Sequence, residues 1–257
     1  MPELVFRRDG PIGWIVFSNP ARNNAVNYQM IVAMREMVSR VERDPQVKVI
    51  ALTGEGSQAF VSGADVSEFG MARGSVSSVM TYNNAMEEAY RAINASRKPT
   101  LACVRGPCFG VGLSLALYCD MRVCSEDAQF SHTAPKLGLG VSYPSVKRLV
   151  DVVGPARASD ILFTGRNIGA AEALAFGLVN RVFPAAEVEA GFLELASGIA
   201  DGAPLSLLAS KLSIRGTLGE ADLHDVKMAS EACHASEDYA EGRKAFIEKR
   251  KPNFRGR

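Results

Sequence analysis

Gly106-Pro-Cys-Phe-Gly-Val-Gly-Leu-Ser-Leu-Ala-Leu-Tyr-Cys-Asp120 is the stretch on which the reading of this chain turns. It follows an apolar, strand-like run, Thr100-Leu-Ala-Cys-Val104, and its glycines lead directly into an apolar segment of helical length. Strand, glycine turn and helix in that order leave backbone N–H groups unpaired at a helix start, where the macrodipole favours negative charge. Such a place can hold an anion, or the oxyanion that develops on a carbonyl during reaction. Within this stretch, and for twenty residues after it, few side chains are equipped to move a proton.

A second turn of the same kind, Ser62-Gly-Ala-Asp65, also follows an apolar run and also precedes a helical pattern. Two backbone N–H groups converging on one carbonyl oxygen are what an enzyme forming an enolate or a tetrahedral intermediate needs. The plainer reading is two ordinary strand-to-helix turns of an α/β protein, because isolated glycine motifs are weak signals.

Outward from these turns the pattern is α/β. Strand patterns at 4–8 and 14–17 are joined by Asp9-Gly-Pro11, and helical spacing runs over 27–43 with Met30, Ile31, Met34, Val38 and Val41 on one face. A buried-strand pattern at 47–52 closes on Thr53-Gly-Glu-Gly56, a helix is expected over 75–94, and 100–104 and 121–124 read as further strands. Beyond Gly154 helical patterns dominate, at 155–164, 169–176, 186–200, 204–218 and 220–249, broken by 178–183. Strands alternating with helices favour parallel pairing. Ala203-Pro204 marks the expected boundary between a core of residues 1–202 and a helical region of 203–257.

Composition narrows the class. The 257 residues are 47% hydrophobic with a formal net charge of +1, enough apolar material for a large core and no electrostatic case for nucleic acid or a membrane surface. No apolar run approaches the roughly 20 residues that span a bilayer, and Met1-Pro-Glu-Leu-Val-Phe has no signal-peptide shape. Five cysteines without a CxxC pair predict reduced, buried thiols and a cytoplasmic protein. Three scattered histidines, His132, His224 and His234, make no metal set, so no metal or cofactor is expected.

Several further pieces stand in a specific order: Asn19-Pro-x-x-x-Asn-Ala-Val-Asn27, Phe60-Val-Ser-Gly-Ala-Asp65, Lys98-Pro-Thr-Leu-Ala-Cys-Val, Ala128-Gln-Phe130, Lys136-Leu-Gly138, Thr164-Gly-Arg166 and Ser236-Glu-Asp-Tyr-x-Glu-Gly. With them the chain resembles the crotonase superfamily, the enoyl-CoA hydratase/isomerase family, almost end to end. The resemblance implies a spiral of ββα units with C-terminal helices that assemble a trimer or dimer of trimers, and an acyl-CoA partner. It implies that the N–H groups of Ala64 and Val111 hold the thioester oxygen. It also implies CoA contacts from Arg22, Ala25, Ser62, Gly63, Asp65 and Gly112, and from Phe246 and Lys249 on the terminal helix. Val111 stands where the family usually has glycine; valine keeps the N–H but stiffens and crowds the turn.

The chain also departs from that family. Its hydratases use two glutamates as acid and base around one water, and those positions here are Ser114 and Ala134. Routine enoyl-CoA hydration is therefore not expected. The candidates left for proton transfer are Ser114, His132, Thr133 and Tyr143. Phe130-Ser-x-Thr133 and the C-terminal Ser236-Glu-Asp-Tyr resemble methylmalonyl-CoA decarboxylases, for which a site without carboxylates suits loss of CO2. Thioester hydrolysis and a catalytically silent acyl-CoA binder stay open. Gly112-Leu-Ser-Leu-Ala116 as a nucleophile elbow fails, because its serine would fall inside the helix and not on the turn. Glu68, His132, Tyr143 and Lys249 each have a structural reading too: a solvated turn, a hydrogen-bonded core histidine, a helix start and a solvated helix end.

Overall fold

A computed structural model describes residues 1–65, 67 and 76–257 of the chain. The chain opens with β1 (Glu3–Asp9) and β2 (Ile12–Ser18), an antiparallel hairpin turned at Gly10-Pro11. A short 3-10 turn, Pro20–Arg22, leads to α1 (Tyr28–Arg43), whose start is capped by Asn27 accepting the Met30 N–H at 2.9 Å. Then come β3 (Val49–Gly54), α2 (Val76–Ala95), β4 (Thr100–Val104), β5 (Pro107–Phe109) and α3 (Val111–Leu117). After β6 (Met121–Ser125) and β7 (Gln129–Ser131) follow α4 (Tyr143–Val153), α5 (Pro155–Thr164), β8 (Ile168–Gly169), α6 (Ala170–Phe176) and β9 (Arg181–Phe183). Four helices close the chain: α7 (Val188–Ala200), α8 (Pro204–Thr217), α9 (Leu223–His234) and α10 (Glu237–Glu248).

The main sheet has the order β1-β2-β3-β4-β6-β9 and is parallel from β2 onward. Its two faces are both buried, which is why its strands read as continuous apolar runs. One face, with Ile15, Phe17, Ile50, Leu52 and Ala102, meets Met30, Met34 and Val38 of α1 and Ile93 of α2. The other, with Ile12, Val49, Ala51, Leu101 and Cys103, is covered by Val188, Phe192 and Ala196 of α7.

A second, small sheet, β5-β7-β8, escapes sequence reading because its strands are two or three residues long. It nonetheless positions the glycine turn, since β5 ends at Phe109. Two other expectations need correction. The strand expected at 47–52 begins at Val49 and runs on through Thr53 and Gly54. Val47 stays in the preceding turn, its N–H on the Asp44 carbonyl, while Thr53 satisfies its hydroxyl on the Cys103 carbonyl at 3.0 Å. The single helix expected over 220–249 is two, because Ser236 accepts the Tyr239 N–H and donates to the Cys233 carbonyl, ending one helix and starting the next.

The C-terminal helices are tied to the core through Lys211 of α8. It is 6% exposed, and its ammonium donates to Asp120 at 2.8 Å and to the Lys98 carbonyl. Asp120 in turn accepts from the N–H and hydroxyl of Thr100. Among the described residues no single helix is long and apolar enough to cross a membrane. Glu68 and the start of the helix expected from Ser75 lie outside the described residues.

Candidate active site

The two glycine turns meet because the backbone of 60–64 runs alongside β5. Phe60 and Val61 donate to the Pro107 carbonyl, and Phe109 returns a bond to the Val61 carbonyl at 3.0 Å. Where that strip reaches α3, a side chain at Gly112 would put its Cβ 2.3 Å from the Val61 carbonyl oxygen. Glycine there permits an approach that no other residue does.

On its opposite edge the same strip is bonded to the loop at 19–27. Ser62 donates to the Asn23 carbonyl, Val26 to Gly63, and Asp65 to Val26. Val26 thus bonds to the residues on either side of Ala64, the pattern of a parallel bridge in which the Ala64 N–H itself points away from that loop. Val111 is the first residue of α3, and its cap, Gly110, has no side chain with which to satisfy the first-turn N–H groups. Gly110 holds φ 51° and ψ −109°, a conformation closed to L residues with side chains. Both N–H bearers border a cleft of about 200 Å³.

Ser62, Gly63 and Ala64 form one rim of the cleft; Gly110, Val111 and Ser114 the next. Tyr82, Asn83, Met86 and Tyr90 of α2 make a wall, and the segment from His132 to Ser145 closes it. The described lining contains no Asp, Glu, Lys or Arg. Ser114 is 4% exposed and Ala134 is buried beside it in the lining, so neither position brings a carboxylate. His132 lines the cleft with Nδ1 buried and without a hydrogen-bond partner among the described residues, and burial pushes its pKa below the usual 6.5. Thr133 follows it in the lining. Tyr143, the first residue of α4, is 77% exposed and absent from the lining; Ser142 and Ser145, whose hydroxyls lie 3.2 Å apart, line it instead.

The residues expected beside CoA divide into two groups. Arg22 and Asp65 pair with each other, and Ser67 donates to the same carboxylate. Burial raises the Asp65 pKa, but the Ser67 hydrogen bonds and the Arg22 guanidinium outweigh it and hold the carboxyl below the usual 3.8. Ala25 is buried, its carbonyl accepting from the Asn19 amide at 2.8 Å. Ser62 and Gly63 reach the cleft, whereas Gly112 is packed against Val61 behind it. Phe246 is 86% exposed on α10, and Lys249 ends that helix in the left-handed region, φ 54°; neither borders the cleft.

Some residues of the site were not singled out from sequence. Tyr82, Met86 and Tyr90 repeat at helical spacing on the buried face of α2, a pattern identical to ordinary core. At the far end of α3, buried Arg122 donates to the carbonyls of Ala116, Leu117 and Cys119, and Arg148 donates to that of Leu117. Burial pulls the Arg122 pKa down to about 10, which still leaves it charged at neutral pH. Tyr118 lies between Tyr90, stacked at 4.9 Å, and the Arg148 guanidinium. The thiols of Cys103, Cys119 and Cys124 are pushed up to about 12, chiefly by burial, which leaves them protonated and unreactive at neutral pH.

Comparison with known proteins agrees with this fold. The family described as enoyl-CoA hydratase/isomerase matches residues 7–257. A short-chain-enoyl-CoA hydratase from Clostridium acetobutylicum is 33% identical over 97% of this chain and 96% of its own. A peroxisomal Δ3,5-Δ2,4-dienoyl-CoA isomerase from Arabidopsis thaliana is 32% identical over 96% of this chain and 93% of its own. Among solved structures, an enoyl-CoA hydratase/carnithine racemase from Magnetospirillum magneticum superposes with a TM-score of 0.95 at 33% identity, covering 100% of this chain and 97% of that one.

Proposed function

The chain belongs to the enoyl-CoA hydratase/isomerase family, of crotonase fold, and from that premise we propose that it binds acyl-CoA thioesters and stabilises their enolates without a carboxylate acid or base. The N–H groups of Ala64 and Val111 would take the thioester oxygen as negative charge develops on it, the interaction that gains most between ground and transition state. The observation that carries this reading is the cleft itself. It joins Ala64 and Val111, and its described lining has no charged side chain. Hydration of a double bond needs one group to activate water and another to protonate carbon, and Ser114 and Ala134 supply neither carboxylate. No cofactor enters this chemistry.

The same uncharged lining supports a second reading, decarboxylation of a 2-carboxyacyl-CoA. Ser114, Thr133, Ser142 and Ser145 border the cleft, and among its described residues no carboxylate would repel the substrate's own. Around the site, Arg22, Phe246 and Lys249 would serve the nucleotide end of CoA. The exposed apolar side chains of α8 to α10, Ile214, Leu223, Met228 and Ile247, support assembly as a trimer.

Calorimetric titration with butyryl-CoA, followed by turnover assays with crotonyl-CoA and methylmalonyl-CoA, tests these readings. Binding is expected, with crotonyl-CoA hydrated slowly or not at all and hydration rising in Ala134→Glu. Failure to bind any CoA thioester overturns the reading. Hydration by the unaltered protein at an ordinary enzymatic rate overturns the claim that carboxylates are missing. Loss of CO2 from methylmalonyl-CoA promotes the second reading.

A further inference from the structure

We propose that the imidazole of His132 is the base that takes the Cα proton of the bound thioester, making the enzyme a one-base catalyst of proton shifts. This rests on the acyl-CoA reading above and adds the group that moves the proton.

The argument begins with one hydrogen bond. The Gly110 N–H donates to the Ser131 carbonyl at 2.9 Å. Val111 follows Gly110 and His132 follows Ser131, so that bond ties together the segments that bring both residues into the lining of the cleft. Cα is one bond from the carbonyl carbon, and a base beside the oxyanion donors is where enolisation needs it. The neighbouring residues leave space: Ser114 and Ala134, both in the lining, are small.

Nδ1 of His132 is buried and finds no hydrogen-bond partner among the described residues. An unpartnered buried ring nitrogen lowers stability and is rare, and a structural histidine would have been given a donor or acceptor. Burial lowers its pKa below the usual 6.5, so the ring is in its neutral form at pH 7, with a lone pair on one nitrogen. The other titratable side chains of the described lining are the phenols of Tyr82 and Tyr90 on α2, while Lys136 in the next turn lies over Gly165.

The step is complete without water or a redox partner. The Cα–H bond breaks and its proton goes to the imidazole. The bonding pair forms the Cα–C double bond, and the carbonyl π pair moves to the oxygen held by Ala64 and Val111. The imidazolium then returns the proton to Cα, or to Cγ of an unsaturated chain, which moves the double bond. Both events use one group.

Butyryl-CoA in D2O provides the test, since deuterium at Cα, read by mass spectrometry, reports enolisation directly. The unaltered protein is expected to exchange, with His132→Gln slowed by about 100-fold or more and butyryl-CoA affinity changed less than about threefold. His132→Ala with added imidazole is a second variant, expected to regain exchange in proportion to imidazole concentration. Binding without exchange in the unaltered protein overturns the assignment of His132 while leaving the acyl-CoA reading intact. So does undiminished exchange in His132→Gln. Absence of butyryl-CoA binding overturns the underlying reading and this one with it.

Discussion

The two ends of α3 are built in opposite ways. At its start, Gly110 offers no capping side chain and Val111, the first residue, borders a cleft. At its finish, two guanidiniums, Arg122 and Arg148, gather the carbonyls of the last turn inside the core. A protein concerned only with stability would cap both ends, because unpaired helix termini lower stability. The difference separates the two ends by role in the proposed site: the bare end would receive the thioester oxygen, and the satisfied end fixes where the bare end points. A cation at the carbonyl end also complements the helix dipole.

That contrast can be broken most severely at Gly112. Gly112→Ala drives a Cβ against the Val61 carbonyl, a backbone atom that cannot swing aside. A loss of about 3 kcal/mol in denaturant unfolding is expected, with acyl-CoA binding abolished. At the other end, Arg122→Met keeps the volume and removes the donors to four carbonyls, including that of Leu178. A destabilisation of about 2 kcal/mol is expected. Affinity should fall less than stability does, because the N–H groups lie a full helix length away.

Gly110→Ala sharpens the comparison in a different way. The site has room for a methyl group, so the penalty is backbone strain at φ 51°, about 1 to 2 kcal/mol. Since the strain relaxes by turning the Val111 N–H, enolisation should fall by a larger factor than stability predicts, read by Cα exchange against urea melts. The smallest effect is that of pH on stability. The folded-state pKa of His132 is depressed, so as pH falls below 6.5 the unfolded chain takes up a proton first. Stability therefore declines on the acid side, from 6.5 down through the folded value, and His132→Gln should flatten that part of the curve in urea titrations.

Much of the fold is written in local pattern. The apolar spacing of α1 and the continuous apolar run of β4 specify their elements almost to the residue, and that of β3 does so within two residues at each end, because burial on one stripe or on both faces leaves its pattern in the sequence. At Ser236 a single serine cap divides what the helical spacing on either side reads as one helix, and one side chain leaves little mark on that spacing. The small sheet left no such trace: two or three residues are too few to show a period. In the site, the glycine turns and the missing glutamates could be read directly, as Ser114 and Ala134 could be counted from fixed motifs. Tyr82, Met86 and Tyr90 could not, since cleft wall and core face of one helix share the same spacing.

By itself, then, the sequence determined the order of strands and helices, the two turns, and which side chains could or could not carry charge at the reacting centre. Only the tertiary structure decided that Ala64 and Val111 border one cleft, and that His132 lines it too, its Nδ1 buried and without a hydrogen-bond partner among the described residues. The physical reason is that every residue but proline carries the same N–H, so no residue type marks an oxyanion donor. What distinguishes these two is that neither N–H has a backbone acceptor among the described residues and that both residues border the cleft. Both follow from contacts between segments distant in the chain: Val26 with Gly63, Phe109 with Val61, and Gly110 with Ser131.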